Sequence, residues 1–464
     1  MTHRPYPSAL LTLTLIWGCG SNTPAVEPEP RALFEPMVAT APVEPQPAPE
    51  PATEPSPLFG VPAAHGDATP EQVTALASAT NRFAIDLYGQ LRSRGGDLVV
   101  SPASLALALT MTWAGARGDT AEQMRRALRI DAGPEAVHAA AAQLLSTWNV
   151  PGRDTYELRV VNRLFADGSY RLDEPFVALM TARYGAPVEA LDFRNAPAAA
   201  AGRINAWVGE QTADRIPQIV PPEALDQETR LVLANAIYFL GQWSRRFEED
   251  DTEARAFHAA RGARQVPTMH TTSTFGYAHV RGVTVLEMGY LGGDISMVIA
   301  LPDQRRGLAA LERRLSIEEV DRWVTALEAT EVEVYLPRFT ARQGFSVEEA
   351  LAALGMTRAF DRGAADFTGM ASPPDPDDHL FLSDVFHEAF IEVNERGTEA
   401  AAATTAIMLR AGNGHGEPHP LPVFRADHPF LFMIRDGGSG AILFLGRVAE
   451  PEASSARATS LAGD

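Results

Sequence analysis

The segment from Glu395 to Ala411, Glu-Arg-Gly-Thr-Glu-Ala-Ala-Ala-Ala-Thr-Thr-Ala-Ile-Met-Leu-Arg-Ala, follows directly on Val385 to Asn394, which alternates like a strand. It suits neither regular element by itself. Alanine is a poor residue for a surface strand, and a surface helix would carry charges among its alanines. One arrangement reconciles the pattern: the segment enters an existing sheet over a helix-packed core as an added strand. One face then carries Thr398, Ala400, Ala402, Thr404, Ala406 and Met408, and the only charge between Gly397 and Leu409, that of Glu399, falls on the other. Small inward side chains pass most easily between two strands that must part for them. A low-complexity loop is the competing reading, and it leaves the alternation unexplained.

The remainder of the chain supplies such a sheet and core. Thr69-Pro70-Glu71-Gln72 reads as a capping box with proline at the first helical position, and apolar residues from Val73 to Leu91 recur at helical spacing before Gly95-Gly96. Leu98 to Val100 is a short strand, and Ser101-Pro102 opens an almost wholly apolar helix to Trp113, which belongs inside the protein. Thr120 with Gln123 is expected to cap a third helix, and helices over 135–148 and 174–184 make the first third helical. Later the period changes. Leu231 to Phe239, Val283 to Met288, Ile295 to Leu301, Glu331 to Leu336, Val385 to Asn394 and Ala441 to Val448 read as strands, and Ser346 with Glu349 as the cap of a short helix ending at Gly355. Helices first and long strands later, without regular alternation, predict a single α+β domain over 69–451.

Ahead of it lies a different composition. Arg4, the apolar run Ala9 to Trp17 and Gly18-Cys19 read as a signal peptide over 1–18 of the lipoprotein type, with Cys19 the residue to be lipidated. From Thr23 to Pro62 there are 12 prolines and 6 glutamates, so 19–68 is expected to be a disordered tether, as is the tail 452–464. The expected location is an outer-membrane anchor facing the periplasm or the cell surface, with secretion as the alternative. A formal charge of −20 and no basic-aromatic groove argue against nucleic acid, and one cysteine excludes an internal disulfide or thiolate cluster.

Enzyme signatures are missing: there is no G-x-S-x-G elbow, no H-E-x-x-H, no Walker loop and no C-x-x-C. His415 and His419 have a zinc-like offset, but Gly416 and Pro418 deny them a common helix face; Asp375, Asp377 and Asp378 sit among prolines. Ser101, Ser104, Asp384 and His387 contain the makings of a nucleophile site, for which a structural hydrogen-bond network is the better reading. No cofactor and no metal site is expected.

Taken together, the hinge-like run Glu395-Arg396-Gly397-Thr398-Glu399-Ala400-Ala401-Ala402 and distant blocks such as Ser101-Pro102-Ala103-Ser104, Ile204 to Val208, Leu233 to Trp243, Leu336-Pro337-Arg338-Phe339, Ser383 to Ala389, Asp427 to Phe432 and Phe444 to Val448 resemble the serpin family. The resemblance implies a serpin fold, with helices packed on a large central mixed β-sheet, two further sheets and an exposed reactive-centre loop over about 395–424. It implies a hinge of Glu395, Gly397, Thr398, Glu399 and Ala400 to Ala403, including Ala401 and Ala402, a shutter of Ser101, Ser104, Asn235 and His387, and a breach tryptophan, Trp243. Counting 17 positions from Glu395 puts Ala411 before the scissile bond to Gly412, with Arg410–Ala411 as the alternative. The implied function is suicide-substrate inhibition of serine proteases, with cysteine proteases as a further class, by a monomer that is not an enzyme. Its partner would be an elastase-like or subtilisin-like protease, with a trypsin-like one if the bond follows Arg410. The alternative function is a non-inhibitory serpin serving as a cell-envelope binding module.

Overall fold

Thr69 caps the first helix in both directions: its Oγ1 accepts from Gln72 N at 3.3 Å, and its own N donates to Gln72 Oε1 at 2.9 Å. This satisfies two of the donors that a helix start leaves free. The computed structural model describes residues 66–150, 152–373, 375, 378–398 and 420–452. Cys19, Glu399, Ala400 to Ala403, Arg410, Ala411, Gly412 and the tail beyond 452 lie outside the described residues.

Along the chain run α1 (Pro70–Leu91), β1 (Leu98–Val100), α2 (Pro102–Gly115), α3 (Gly118–Ala127), α4 (Pro134–Trp148), β2 (Tyr156–Asp167), β3 (Arg171–Leu172), α5 (Glu174–Leu179), β4 (Glu189–Leu191) and α6 (Pro197–Gln211). Next come β5 (Leu231–Gln242), β6 (Glu253–Ala259), β7 (Gly262–Val280), β8 (Val283–Gly289), β9 (Ile295–Pro302), α7 (Leu308–Arg314), α8 (Ile317–Thr325) and β10 (Glu328–Pro337). The last are β11 (Phe339–Ser346), α9 (Glu348–Ala353), β12 (Ala371–Ser372), β13 (Leu382–Asn394), β14 (Gly397–Thr398), β15 (Val423–Arg425), β16 (Phe430–Asp436) and β17 (Ile442–Val448).

The central sheet has the order β11-β13-β14-β5-β2-β4 and is mixed: β13 runs parallel to β5, and β2 parallel to β4. A nine-stranded sheet, β1-β17-β16-β9-β8-β7-β10-β15 with β6 on β7, and a small pair, β12-β3, complete the α+β architecture. Strand β5 shows why the central sheet is apolar throughout. Leu231, Leu233 and Ile237 join the main core, while Val232, Ala234 and Ala236 pack with Ile204 and Trp207 of α6 on the opposite face. A strand covered on both faces reads as a continuous apolar run, and this one does. Helix α2 lies in the main core with every residue buried except Ala114, as its lack of a polar face requires.

Some local expectations fail where tertiary contacts claim the capping side chains. Helix α3 begins at Gly118, so Thr120 is inside it and its Oγ1 accepts from Asp366 N at 3.0 Å, while Gln123 Oε1 accepts from Arg358 N at 2.8 Å. Ser346 does not form a capping box with Glu349; Val347 occupies the cap of α9 and Ser346 Oγ donates to Asp384 at 2.6 Å. The expected helix over 174–184 is α-helical only to Leu179 and closes in a π turn, Met180–Tyr184, stopped by Gly185 at φ 60°. The first third is also less purely helical than its composition suggests, because β2 spans 12 residues there. Among the described residues no helix is long and apolar enough to cross a membrane.

Candidate functional site

Two clusters on the central sheet gather the residues that the sequence singles out. The first lies at mid-strand. Asn235 on β5 is in register with His387 on β13 and with Asn162 on β2, so three polar side chains stand abreast on three strands. Helix α2 comes up against them with Ser101, its N-cap, and Ser104 in its first turn. The hydrogen bonds run in a defined direction. Ser101 N donates to His387 Nε2 at 3.0 Å, so that nitrogen carries the lone pair and the proton sits on Nδ1, which donates to Asn235 Oδ1 at 2.5 Å. Asn235 Nδ2 in turn donates to Ser104 Oγ at 2.6 Å and to Asn162 Oδ1. Ser101 Oγ donates to Leu443 O at 2.6 Å, which ties the cluster to β17.

This cluster cannot activate a nucleophile. Asp384 accepts from Ser346 Oγ and from Val385 N, both at 2.6 Å, and makes no bond to His387. The imidazole is wholly buried, and burial holds its pKa down to about 3, so it is neutral near neutrality with both nitrogens engaged. Its geometry instead cross-links β13 to β5 through two side chains, with α2 as a backstop. Asn162 is the member that the sequence reading missed. Its signal was a polar residue at an inward position of an otherwise apolar alternation, Val160-Val161-Asn162-Arg163-Leu164.

The second cluster is at the end of the same two strands. From Leu382 to Phe390, β13 pairs directly with β5; beyond that, β14 lies between them, antiparallel to both. Gly397 faces Asn394 on one side and Gln242 on the other, and Thr398 faces Val393 and Gly241. Gly397 and Thr398 thus lie as a short strand between β13 and β5, and the rest of the segment expected to add to the sheet lies outside the described residues. Gly397 is required by space as well as by its φ of 150°: a Cβ there would stand 1.9 Å from Gly241 O. Thr398 is fully buried, and its Oγ1 shares a 2.7 Å hydrogen bond with the hydroxyl of Tyr290.

Trp243 closes this end of the sheet. Its ring stacks on Tyr290 with centroids 4.4 Å apart and 19° between planes, its Nε1 donates to Asn394 O at 2.9 Å, and its backbone N donates to Arg396 O at 2.9 Å. Glu395 is buried, with its Oε1 accepting from Arg338 Nε at 2.6 Å and from the Thr252 hydroxyl. A carboxylate so enclosed is tolerable because a guanidinium compensates it. Tyr290 and Thr252 carry no motif of their own in the sequence, and Arg338 lies in the block Leu336-Pro337-Arg338-Phe339 without any sign there of its partner; only the fold brings them to the hinge. The structure therefore groups Glu395, Gly397 and Thr398 with Trp243, and Ser101, Ser104, Asn235 and His387 at the separate mid-sheet cluster. Among the described residues no group of three or more His, Cys, Asp or Glu is placed to hold a metal ion.

Comparison with known proteins agrees with this architecture. A family model described as Serpin (serine protease inhibitor) matches residues 78–451. Leukocyte elastase inhibitor of Bos taurus is 39% identical over 387 residues, covering 81% of this chain and 99% of that protein. Serpin B6 of Macaca fascicularis is 37% identical over 384 residues with the same coverage. The crystal structure of Serpin48, a highly specific serpin of the insect Tenebrio molitor, matches at 32% identity with a TM-score of 0.71, covering 81% of this chain and 98% of that one. With the family model spanning most of the chain and these relatives matched over nearly their whole length, the chain belongs to the serpin family.

Proposed function

We propose that the chain is a suicide-substrate inhibitor of serine proteases, with cysteine proteases as the second nucleophile class. In this reading the protease nucleophile attacks the carbonyl carbon of Ala411 in the reactive-centre loop. An ester or thioester forms, the amide bond to Gly412 breaks, and the Gly412 amine leaves with the proton that the protease's own base has taken from its nucleophile. Release of that end lets the segment after Thr398 continue between β13 and β5 and carry the acyl-enzyme with it. The alternative bond is Arg410–Ala411.

The observation that carries the reading is β14 itself, a two-residue wedge whose continuation is small at Ala400, Ala402, Thr404 and Ala406. The cut loop gains two antiparallel ladders where one parallel ladder stood, and antiparallel pairing is slightly the stronger per residue. The relatives named leukocyte elastase inhibitor favour an elastase-like target, in keeping with alanine before the scissile bond and a small primary pocket. Incubation with elastase, subtilisin and trypsin followed by denaturing electrophoresis tests it. A covalent band at the summed mass, with sequencing of the released fragment starting at Gly412, is expected; clean cleavage without that band overturns inhibition. The location read from Gly18-Cys19 is a lipid anchor, and Cys19→Ser should move the protein from the membrane pellet to the soluble fraction.

A further inference from the structure

Away from the central sheet, one cavity has a lining that neither the hinge nor the mid-sheet cluster uses. It measures about 330 Å³ and lies across β6, β7 and β10 and the residues that follow β15. Strand register places its key side chains on one face. Arg255 is opposite Val266, Phe257 is opposite Arg264, and Tyr335 is in register with both His270 and Arg425. Arg255, Phe257, Val266, Tyr335 and Arg425 therefore point to the same side. At Asp427, also in the lining, the backbone O accepts from His258 N at 2.7 Å.

Its charge is uneven. The guanidinium carbons of Arg255 and Arg425 lie 4.5 and 4.7 Å from the centroid of the Tyr335 ring, on which His270 also stacks at 4.6 Å, so both cations gather at one aromatic side chain. Arg255 gives one Nη to the exposed carboxylate of Glu253 at 2.8 Å, but its Nε–H is buried and has no acceptor among the described residues. Arg425 forms no ion pair within 4.0 Å among the described residues, and the charge it does feel is that of Glu333, whose pKa it helps to lower. The acids nearby hold other partners as hydrogen-bond acceptors. Glu333 accepts from the Tyr335 hydroxyl at 2.6 Å and meets His270 at 3.3 Å, and Asp427 pairs with His428 at 2.7 Å and Arg305 at 3.6 Å. Phe257 and Val266, both buried, give the cavity an apolar floor. Two cations at the mouth, an unmet donor and an apolar base make a site of the usual ligand-pocket kind, in which a few polar groups orient an apolar body.

We propose that this cavity binds a small organic acid with a flat apolar body, its carboxylate held by Arg255 and Arg425 and its body against Phe257 and Val266. Because Arg425 ends β15, an occupant ties the strand by which the loop returns to the sheet to β6 and β10. The site is independent of the inhibitory reading, since no residue of the hinge or of the mid-sheet cluster lines it.

Isothermal titration of the full chain at constant ionic strength tests this with three probes: 3-phenylpropionate, its uncharged counterpart 3-phenylpropan-1-ol, and sulfate. Saturable one-to-one binding of 3-phenylpropionate is expected, with the alcohol and sulfate each weaker by about tenfold or more. Arg425→Gln, at an exposed position, and Arg255→Gln should each weaken 3-phenylpropionate by a similar factor while circular dichroism stays that of the parent. No saturable binding of 3-phenylpropionate overturns the proposal. So does equal affinity for the alcohol or for sulfate, or undiminished binding in either folded variant.

Discussion

At the scale of single residues, the chain spends its buried polar groups on holding strands to one another. His387 illustrates the arrangement, because its neutral form both receives the Ser101 amide proton and donates to Asn235. Burial lowers its folded pKa to about 3 from an unfolded value near 6.5, so between those values the unfolded chain binds more protons than the folded one. The contribution of His387 to stability is therefore complete above about pH 6.5 and lost progressively as pH falls toward 3. His138, hydrogen-bonded to Tyr184 and held down to about 4 by burial, acts in the same direction. Thermal midpoints measured from pH 7 to pH 4 should fall, and His387→Ala should flatten part of that fall. The same variant leaves Asn235 Oδ1 and Ser101 N without partners, at a cost of about 1–3 kcal/mol each, and should lose inhibitory activity on heating sooner than the parent. Equal half-lives would separate His387 from the opening of the sheet. The charged residues follow a similar logic. Glu395, Glu388 and Glu312 are buried, and each is met by an arginine, at Arg338, Arg342 and Arg447. The fixed fork of donors on a guanidinium lets it satisfy a carboxylate and neighbouring carbonyls together. Arg447 does so with Glu312 and with the carbonyls of Gly96 and Arg92.

At the scale of elements, the two-residue strand β14 decides how the central sheet behaves. It holds the ends of β13 and β5 apart, so opening further means unzipping a parallel pair from Phe390 and Tyr238 downward. Gly397→Ala introduces a Cβ against the carbonyl of Gly241, backbone that cannot swing aside, and β14 should leave the sheet. Limited proteolysis near Gly397 and Thr398 should then be faster than in the parent by about an order of magnitude, the factor that about 1.4 kcal/mol confers when cleavage follows the open population. Unchanged resistance would mean that β14 stays in place despite the contact. Thr398→Arg asks a different question, because it leaves the expected scissile bond untouched. A guanidinium in place of the buried hydroxyl at Tyr290 costs several kcal/mol unless it finds water or a partner. Protease should still acylate at nearly the parent rate, yet more inhibitor molecules should be consumed per protease trapped. Unchanged stoichiometry would show that the strand does not enter by this route.

At the scale of the whole molecule, the proposed mechanism requires a sheet that accepts a strand and a chain whose candidate strand is tethered at both ends. Cutting the loop releases one tether. If about ten residues then insert, with a net gain of about 1 kcal/mol for each new hydrogen bond, stability rises by roughly 10 kcal/mol. A domain of this size has an unfolding entropy of roughly 0.8 kcal/mol per degree, so the thermal midpoint should rise by more than about 10 °C after cleavage. Differential scanning calorimetry of the chain before and after a single cut between 399 and 419 measures this, and a midpoint that stays or falls would contradict insertion. On the proposed mechanism the native form is a kinetically held state, and its lifetime rests on the side-chain links described above.

How much of this was legible in the sequence depends on the range over which each feature is encoded. Local patterns identified α1, the fully buried α2 and the strands β5, β8, β9, β10, β13 and β17, because periodicity and capping chemistry act within a few residues. The small-residue run after Gly397 carried the idea of an added strand for the same reason: alternation is written residue by residue. The sequence missed β2, whose mixture of Arg159, Asn162 and Arg163 with Val160 and Val161 makes sense only once one face meets α2 and the other meets α6. It misassigned the cap of α3, because Thr120 and Gln123 answer to Asp366 and to Arg358, more than 230 positions away. By itself the sequence determined the elements, their burial and the run of small side chains suited to insertion. Only the tertiary structure decided that β14 lies between β13 and β5, that Tyr290 and Arg338 receive it, and that His387, Asn235 and Asn162 stand abreast, since these are contacts between strands far apart in the chain that no local pattern encodes.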